Sequence, residues 1–138
     1  MQLRPLAQAD LEIVRQLRNA NRQFFFYDAE IDAAQHAAWF RALASKPVDV
    51  FVIEDGGAVV GTVSATRSPD GIEIGNLVLA AAARGKGLMR KAVQQITTAP
   101  GHYFAEVKAG NTASLAVFKA TGFTIASSGE VARLVKDV

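Results

Sequence analysis

The chain has 138 residues, enough for one compact domain and too few for two, so we expect a single domain over residues 1–138. Hydrophobic residues make up 50% of the sequence and charged residues 20%, which excludes a disordered or fibrous protein. The formal net charge is only +2 and cysteine is absent. These values argue against a nucleic-acid-binding protein and exclude disulfide and thiolate chemistry.

The first residues lack the charged and apolar segments of a signal peptide. The longest apolar run, residues 77–83, is too short to cross a bilayer. We therefore expect a soluble, cytoplasmic protein that has neither a membrane partner nor a metal ion.

In the first half of the chain, strand patterns follow two helical patterns. Residues 1–6 predict a short strand, and apolar residues at helical spacing after Asp10 predict a helix to about residue 19. Residues 21–30 hold the aromatic run Phe24-Phe25-Phe26-Tyr27 and predict a loop, which a second helical pattern over residues 36–43 follows. Two β-rich runs, residues 48–54 and 58–66, flank a glycine turn and predict a hairpin.

The second half predicts a strand at residues 72–79, a helix from residue 88 that Pro100-Gly101 stops, and a strand at residues 103–108. A helix capped by Asn111 and Thr112 should run through residue 121, and residues 123–127 and 131–136 should close as a hairpin. This order of elements is that of a mixed α+β domain and not of a doubly wound sheet.

The segment Arg84-Gly85-Lys86-Gly87 joins a predicted strand to a predicted helix. The first N–H groups of a helix lack intrahelical partners and, with the helix dipole, attract phosphate. Gly85 and Gly87 let a diphosphate approach the backbone. Four basic side chains surround the same turn: Arg84, Lys86, Arg90 and Lys91. The segment therefore predicts an anion-binding site.

Two nucleotide-binding motifs are excluded by the spacing of this segment. A Walker loop needs four residues between its glycines and then Lys-Ser or Lys-Thr. A dinucleotide fingerprint needs a third glycine where Arg90 stands, and too few residues follow for a doubly wound fold.

The same segment resembles the cofactor motif of the GNAT family of N-acetyltransferases, which reads Arg or Gln, two residues, Gly, one residue, then Gly or Ala. Arg84, Gly87 and Met89 occupy these places. Residues 111–123, which begin with Asn111 and end with Gly122-Phe123, resemble the family's later coenzyme A segment. The resemblance implies a mostly antiparallel, twisted sheet of about seven strands flanked by four helices, with acetyl-CoA as acyl donor.

The resemblance also implies the coenzyme contacts. The strand at residues 72–79 would bind the pantetheine arm, and an N–H group near residues 77–79 would polarise the thioester carbonyl. The implied contacts are Leu77, Val78, Leu79, Arg84, Gly85, Lys86, Gly87, Leu88, Met89, Arg90, Asn111, Ser114 and Phe118.

Two positions depart from the family pattern. Met89 replaces the small residue usual at the third motif position, and Phe118 stands where many relatives carry a tyrosine that protonates the departing thiolate. Ser114 fills the place of a serine that some relatives use near the coenzyme A sulfur. We predict that Ser114 substitutes for the missing tyrosine; a helix-start serine bonded to backbone is the alternative.

Glu73 is the candidate general base, because it lies on the strand that would bind the pantetheine arm. Strand alternation places it on the face of Gly75 and Leu77, although a bulge would reverse this. Glu106, on the neighbouring strand, is the second candidate, and an exposed structural carboxylate is the alternative role for Glu73.

Arg18, Arg22, Tyr27 and His36 are the candidate acceptor-binding residues. Arginine forks suit phosphate or carboxylate groups, and aromatic loops build acceptor pockets. A lone histidine on an apolar helix face is, however, more often packed than catalytic.

We therefore predict transfer of an acetyl group to a primary amine of a small molecule, such as a nucleotide-linked amino sugar, by a monomer or homodimer. The alternatives are an acetyltransferase of ribosomal-protein N-termini and a coenzyme A-binding regulatory module without catalysis, which the phenylalanine at position 118 suggests.

Overall fold

A computed structural model describes all residues from Met1 to Val138. The strands are β1 (Gln2–Pro5), β2 (Val48–Asp55), β3 (Ala58–Ser68), β4 (Gly71–Leu79), β5 (His102–Lys108), β6 (Thr124–Ser127) and β7 (Val131–Asp137). The helices are α1 (Leu11–Ala20), α2 (Ala33–Ala42), α3 (Leu88–Ile96) and α4 (Thr112–Ala120). The predicted order of elements is confirmed.

All seven strands form one sheet with the order β1-β2-β3-β4-β5-β7-β6. Every neighbouring pair is antiparallel except β4 and β5, which run parallel. The mixed, mostly antiparallel sheet with four helices is therefore as predicted. A parallel pair needs a crossover connection, and α3 supplies it.

The helices cover both faces of the sheet. α1 packs on α2 and α3 packs on α4, and both α1 and α3 contact β3 and β4. Val63 belongs to the buried core that contains Met89, Val93 and Phe118 from α3 and α4. Thr62, its neighbour on β3, faces the other way and lines a cavity with residues of α1 and α2.

Two irregularities open the middle of this sheet. The β3–β4 register shifts between Thr62 and Ser64, and Asn76 on the opposite strand has a positive φ of 53°. This combination is a β-bulge. In addition, β4 and β5 pair only at Ile72 with Tyr103 and at Glu73 with Phe104. The two strands are therefore unpaired towards their carboxyl ends, where the cavities described below lie.

Hydrogen bonds define the start of α2 and the end of α3, and the end of α4 lies close to its predicted position. Asp32 and Gln35 form a reciprocal capping box at the start of α2. The prediction that Pro100-Gly101 ends α3 is wrong, because α3 ends at Ile96 and the Thr97 hydroxyl donates to the Val93 carbonyl at 2.8 Å. Helix α4 ends one residue before its predicted end.

Candidate active site

Three adjoining cavities follow the gap between β4 and β5 and continue towards α1 and α2. The α4 cavity, about 170 Å³, lies among β4, α3 and α4. The carboxylate cavity, about 200 Å³, contains Glu73 and Glu106. The aromatic cavity, about 460 Å³, is bounded by α1, α2 and the aromatic loop at residues 24–27.

Seven of the residues predicted to bind the cofactor line the α4 cavity: Leu77, Val78, Leu79, Arg84, Met89, Asn111 and Ser114. They come from both sequence blocks that carry the family resemblance, although these blocks lie far apart in the chain. The structure therefore brings the two blocks to one cavity.

The turn before α3 has the backbone expected for close approach by an anion. Gly85 and Gly87 have φ values of 80° and 74°, in the left-handed region that favours glycine. Gly87 is the residue that caps α3, and no side chain caps this helix or places an acidic group in its first turn. A Cβ atom at Gly85 would meet no atom within 4 Å, so the turn is open on that side.

The side chains of this turn fall into an exposed set and a buried set. Lys86 and Arg90 are exposed, with the Lys86 ammonium 3.9 Å from an Asp55 carboxylate oxygen. Leu88 and Met89 are each only 5% exposed, and Met89 packs in the main core. The methionine that departs from the family motif therefore fills the core and does not crowd the turn. Leu88 can contribute to an anion site only through its backbone.

Arg84 connects the turn to α1. One of its Nη atoms donates to the Asn21 Oδ1 atom at 2.8 Å and lies 3.4 Å from the Leu79 carbonyl oxygen. Asn21 is buried and also donates to the Leu17 carbonyl at 2.8 Å. Arg84 therefore holds the position of the turn relative to α1, in addition to contributing positive charge.

The start of α4 places Ser114 between two of the cavities. The Asn111 side chain accepts a hydrogen bond from the Ser114 backbone N–H at 3.2 Å, which caps the helix. Asn111 and Ser114 line both the α4 cavity and the carboxylate cavity. The Ser114 hydroxyl forms no hydrogen bond within the protein, and the Ser114 side chain is only partly buried. This hydroxyl is therefore free to serve a ligand.

Phe118 lies one helical turn further along α4 and is 1% exposed. Its ring packs edge-on against Phe123, with the ring centroids 5.0 Å apart, and also lines the carboxylate cavity. A tyrosine hydroxyl is absent from this position, as the sequence indicates, and the phenylalanine ring forms part of the core.

The two candidate carboxylates line the same cavity as Ser114. Burial raises the pKa of Glu73, the negative charge of Glu106 raises it further, and the positive charge of Arg133 lowers it. Glu106 instead accepts a hydrogen bond from Arg133 at 3.0 Å. Glu73 is thus the carboxylate without an ion-pair partner, and its raised pKa suits a proton acceptor.

Glu73 shares a face with Gly75, as predicted, but the bulge turns Leu77 to the opposite face, where it packs against the main core. Glu73 pairs with Thr66 and Gly75 pairs with Ser64, and all four residues line the carboxylate cavity. The register shift lies beyond Gly75 in the direction of Leu77. Because Glu73 precedes the bulge, its orientation follows ordinary strand alternation.

Asn76 is a site residue that the sequence analysis missed. Its side-chain amide donates to the Ser64 hydroxyl at 2.8 Å, and its carbonyl accepts from the Thr62 hydroxyl at 2.8 Å. These bonds fix a residue that lines both the carboxylate and the aromatic cavity. The only sequence signal is the Gly75-Asn76 pair within a strand, since asparagine tolerates a left-handed backbone.

Arg18 holds the aromatic loop that separates the carboxylate cavity from the aromatic cavity. Its two Nη atoms donate to the carbonyl groups of Tyr27 and Ala29, the latter at 2.9 Å. The guanidinium carbon also lies 4.5 Å from the Phe25 ring centroid and 5.7 Å from the Tyr27 ring centroid. Burial lowers the pKa of Arg18. Both of its Nη atoms are therefore engaged within the protein.

The other predicted acceptor residues differ in their placement. Tyr27 and His36 line the aromatic cavity, whereas Arg22 lies outside all three cavities, 3.8 Å from Glu30 on the exposed surface. His36 is 5% exposed and stacks on Trp39 with a centroid distance of 4.9 Å. Burial, followed by the charges of nearby arginines, lowers the pKa of His36, and its Nδ1 atom has no hydrogen-bond partner.

No group of three or more histidine, aspartate or glutamate side chains is arranged to hold a metal ion. None of the helices combines the length and the apolar character that a bilayer crossing requires.

Comparison of the sequence with protein families gives a match to the acetyltransferase (GNAT) domain over residues 1–124. The sequence has no significant match among curated proteins. Three solved structures illustrate the similarity of fold. A ribosomal-protein-alanine N-acetyltransferase from Brucella melitensis has a TM-score of 0.82 at 20% identity, with all of both chains covered.

A phosphinothricin acetyltransferase from Sinorhizobium meliloti, in complex with acetyl-CoA, has a TM-score of 0.79 at 20% identity and covers 99% of this chain and 88% of its own. A spermidine N-acetyltransferase from Vibrio cholerae, in complex with coenzyme A and spermine, has a TM-score of 0.77 at 17% identity and covers 99% and 94%. The family match extends over most of the chain and agrees with the fold and with the sequence motifs. The chain belongs to the GNAT family of acetyltransferases, whose acyl donor is acetyl-CoA.

Proposed function

We propose that this protein transfers the acetyl group of acetyl-CoA to a primary amine of a small molecule. The observation that carries the proposal is the arrangement of the cavities. Ser114 lies at the junction of the α4 and carboxylate cavities, and Glu73 lines the second of them. A coenzyme bound along β4 and an amine beside Glu73 would therefore meet in the carboxylate cavity.

The residues at the α3 turn fit a coenzyme A diphosphate. The open face at Gly85, the left-handed backbone at Gly87 and the uncapped start of α3 present N–H donors without obstruction from a side chain. The exposed Lys86 and Arg90 add positive charge. The apolar wall at Leu77 and Met89 suits the less polar pantetheine arm.

Glu73 would act as the general base. Acetyl-CoA supplies the acetyl group as an activated thioester. An amine that arrives as an ammonium ion must lose a proton before it can attack, and the Glu73 carboxylate can take that proton directly or through water. The raised pKa of Glu73 makes it a stronger base than an exposed glutamate.

Ser114 would act at the other end of the transfer. As the new C–N bond forms and the C–S bond breaks, the departing thiolate needs a proton. The free Ser114 hydroxyl, the one hydroxyl of the α4 cavity, can pass a proton to the sulfur while it takes one from water or from the nitrogen that has attacked. Phe118 cannot perform this step. The backbone around the bulge, from Gly75 to Leu79, would hold the donor by main-chain hydrogen bonds.

The acceptor itself is a separate part of the proposal. A nucleotide-linked amino sugar and a ribosomal-protein N-terminus were the sequence-based candidates. The structural neighbours include enzymes described for a ribosomal protein, for phosphinothricin and for spermidine, so the fold accommodates quite different amines. The chemistry of this chain's own aromatic cavity is therefore the better guide.

Turnover of primary amines with acetyl-CoA tests the proposal. We expect free coenzyme A to be released in the presence of at least one amine of a chemically diverse panel. We expect Ser114→Ala to lower kcat about tenfold with little change in the KM for acetyl-CoA, because an acid for the leaving group acts mainly in the transition state. Binding of acetyl-CoA without turnover of any amine would instead identify a regulatory module.

A further inference from the structure

The carboxylate and aromatic cavities adjoin but differ in charge. They share Phe25, Phe26 and Asn76. On one side of this boundary stand Glu73 and Glu106, and on the other side no carboxylate is present. An acceptor that spans both cavities therefore meets negative charge at one end only.

The wall of the aromatic cavity is largely apolar. It is formed by the rings of Phe25, Phe26, Tyr27 and Trp39 and by the aliphatic side chains of Val14, Ile31 and Val50. Phe26 and Tyr27 are 60% and 59% exposed, which is unusual for large aromatic residues. An apolar ligand would cover these rings and gain from the removal of their surface from water.

The charged groups of the aromatic cavity disfavour an acceptor that carries a second cation in addition to the ammonium group beside Glu73. Arg18 is the one ionised side chain in its wall. Burial and the charges of Arg15 and Arg18 lower the pKa of His36, and the opposing charge of Glu12 is the smallest of these influences, so the neutral form is favoured near pH 7. A second ammonium group would have to leave water beside a guanidinium and apolar rings, which is costly without a compensating carboxylate.

The same cavity offers little to an anion. Both Nη atoms of Arg18 already donate to loop carbonyls, and its guanidinium lies against two aromatic rings. Arg22 does not reach the cavity. The Arg18 side chain therefore acts mainly as a support for the loop, and the two arginines do not form a site for a diphosphate.

We propose that the acceptor is a monoamine with an uncharged, apolar body of about the size of an aromatic ring. Its ammonium group binds beside Glu73 and Glu106, and its body lies in the aromatic cavity. This inference rests on the proposed acetyltransferase function and specifies the acceptor class for the same site. It replaces the nucleotide-linked amino sugar as our favoured acceptor.

Gln35 offers a sharp test because it lines the aromatic cavity and its side chain already serves as part of the α2 capping box. Glutamate at this position can form the same capping bond and introduces a carboxylate into the cavity. Gln95→Glu is the matched control, since this residue lies on α3 outside the cavities and carries the same change of charge.

The experiment measures kcat/KM with acetyl-CoA for 2-phenylethylamine, spermidine, a nucleotide-linked amino sugar and a peptide with a free N-terminus. We expect wild type to prefer phenylethylamine by at least tenfold over each of the others. Gln35→Glu should shift the ratio of spermidine to phenylethylamine at least fivefold towards spermidine, and Gln95→Glu should leave it unchanged. Phe26→Ala, which removes a mostly exposed ring, should raise the KM for phenylethylamine about fivefold.

A preference for spermidine, for the nucleotide-linked sugar or for the peptide would overturn this inference while leaving the acetyltransferase function intact. An unchanged ratio in Gln35→Glu would also overturn it, because the cavity would then not hold the acceptor body. If the protein is not an acetyltransferase, neither the wild type nor any variant will turn over any amine of the panel.

Discussion

The coenzyme side of the site, formed by β4, the α3 turn and the start of α4, differs in construction from the acceptor side, formed by α1, the aromatic loop and α2. The coenzyme side uses backbone groups that short sequence motifs place, such as the left-handed glycines before α3 and the Asn111 cap of α4. The acceptor side uses side chains from distant positions, such as Arg18, Phe26 and Trp39.

This difference explains how one family can keep its donor and change its acceptor. A backbone site tolerates many side chains as long as the turn is kept, as the buried Met89 illustrates. A site lined by side chains changes its chemistry with each substitution. The two sides should therefore respond differently to mutation.

The largest effect is expected at Glu73, where the two sides meet. Glu73→Gln should lower kcat about 100-fold, since loss of a general base commonly costs two or more orders of magnitude. The KM for acetyl-CoA should change less than twofold. Steady-state kinetics at saturating acetyl-CoA measures both values, and a kcat within threefold of wild type would show that Glu73 is not the base.

The pH profile sharpens this test. The base must be ionised, so kcat should fall as the pH drops through the raised pKa of Glu73. Glu106→Gln retains the base but removes a charge that raises this pKa, so it should move the acid limb of the profile to lower pH. An unmoved limb would assign the titration to another group.

A substitution at Gly87 should affect the coenzyme side alone. Valine is strongly disfavoured at the φ of 74°, so Gly87→Val should distort the turn and raise the KM for acetyl-CoA at least tenfold. Gly122→Val is a matched control. Gly122 has a φ of 98°, and a Cβ atom at either glycine would lie 3.4 Å from the nearest atom of a basic side chain. Equal KM increases in both variants would mean that backbone strain, and not the α3 turn, is responsible.

A substitution at Arg18 should affect the acceptor side alone and more weakly. Arg18→Ala removes two bonds to the aromatic loop, so the KM for the best amine should rise about fivefold while the KM for acetyl-CoA stays within twofold. Arg22→Ala, outside the cavities, is the control. A rise in the KM for acetyl-CoA in Arg18→Ala would contradict the separation of the two sides.

The difference between a coenzyme side built from continuous motifs and an acceptor side built from distant side chains also decides what the sequence can predict. The order of all elements follows from hydrophobic periodicity and turn residues, whereas the mostly antiparallel sheet follows from the family resemblance. The structure confirms both. The α3 turn and the α4 start could be located because each is a continuous run of residues. Their convergence on one cavity followed from the family resemblance and not from spacing.

The acceptor side could not be derived in the same way. Arg18 looks like a free cation in the sequence, yet the path of the loop brings the carbonyl groups of Tyr27 and Ala29 to its guanidinium. The bulge at Asn76 depends on hydroxyl groups of Thr62 and Ser64 on the neighbouring strand. Such contacts between distant residues leave no local pattern. The end of α3 was misplaced for a related reason, because a threonine hydroxyl bonded to the preceding turn carries no strong stop signal.

The most direct test of the central claim is the thermal stability of the purified protein with and without acetyl-CoA. A ligand that binds only the folded chain raises the Tm, and a concentration of about 100 times Kd stabilises a protein by about 2.7 kcal/mol. We predict a rise of several degrees in the wild type at millimolar acetyl-CoA and in Gly122→Val, and little or no rise in Gly87→Val. An unchanged Tm in the wild type, or equal rises in both variants, would contradict a coenzyme site at the α3 turn.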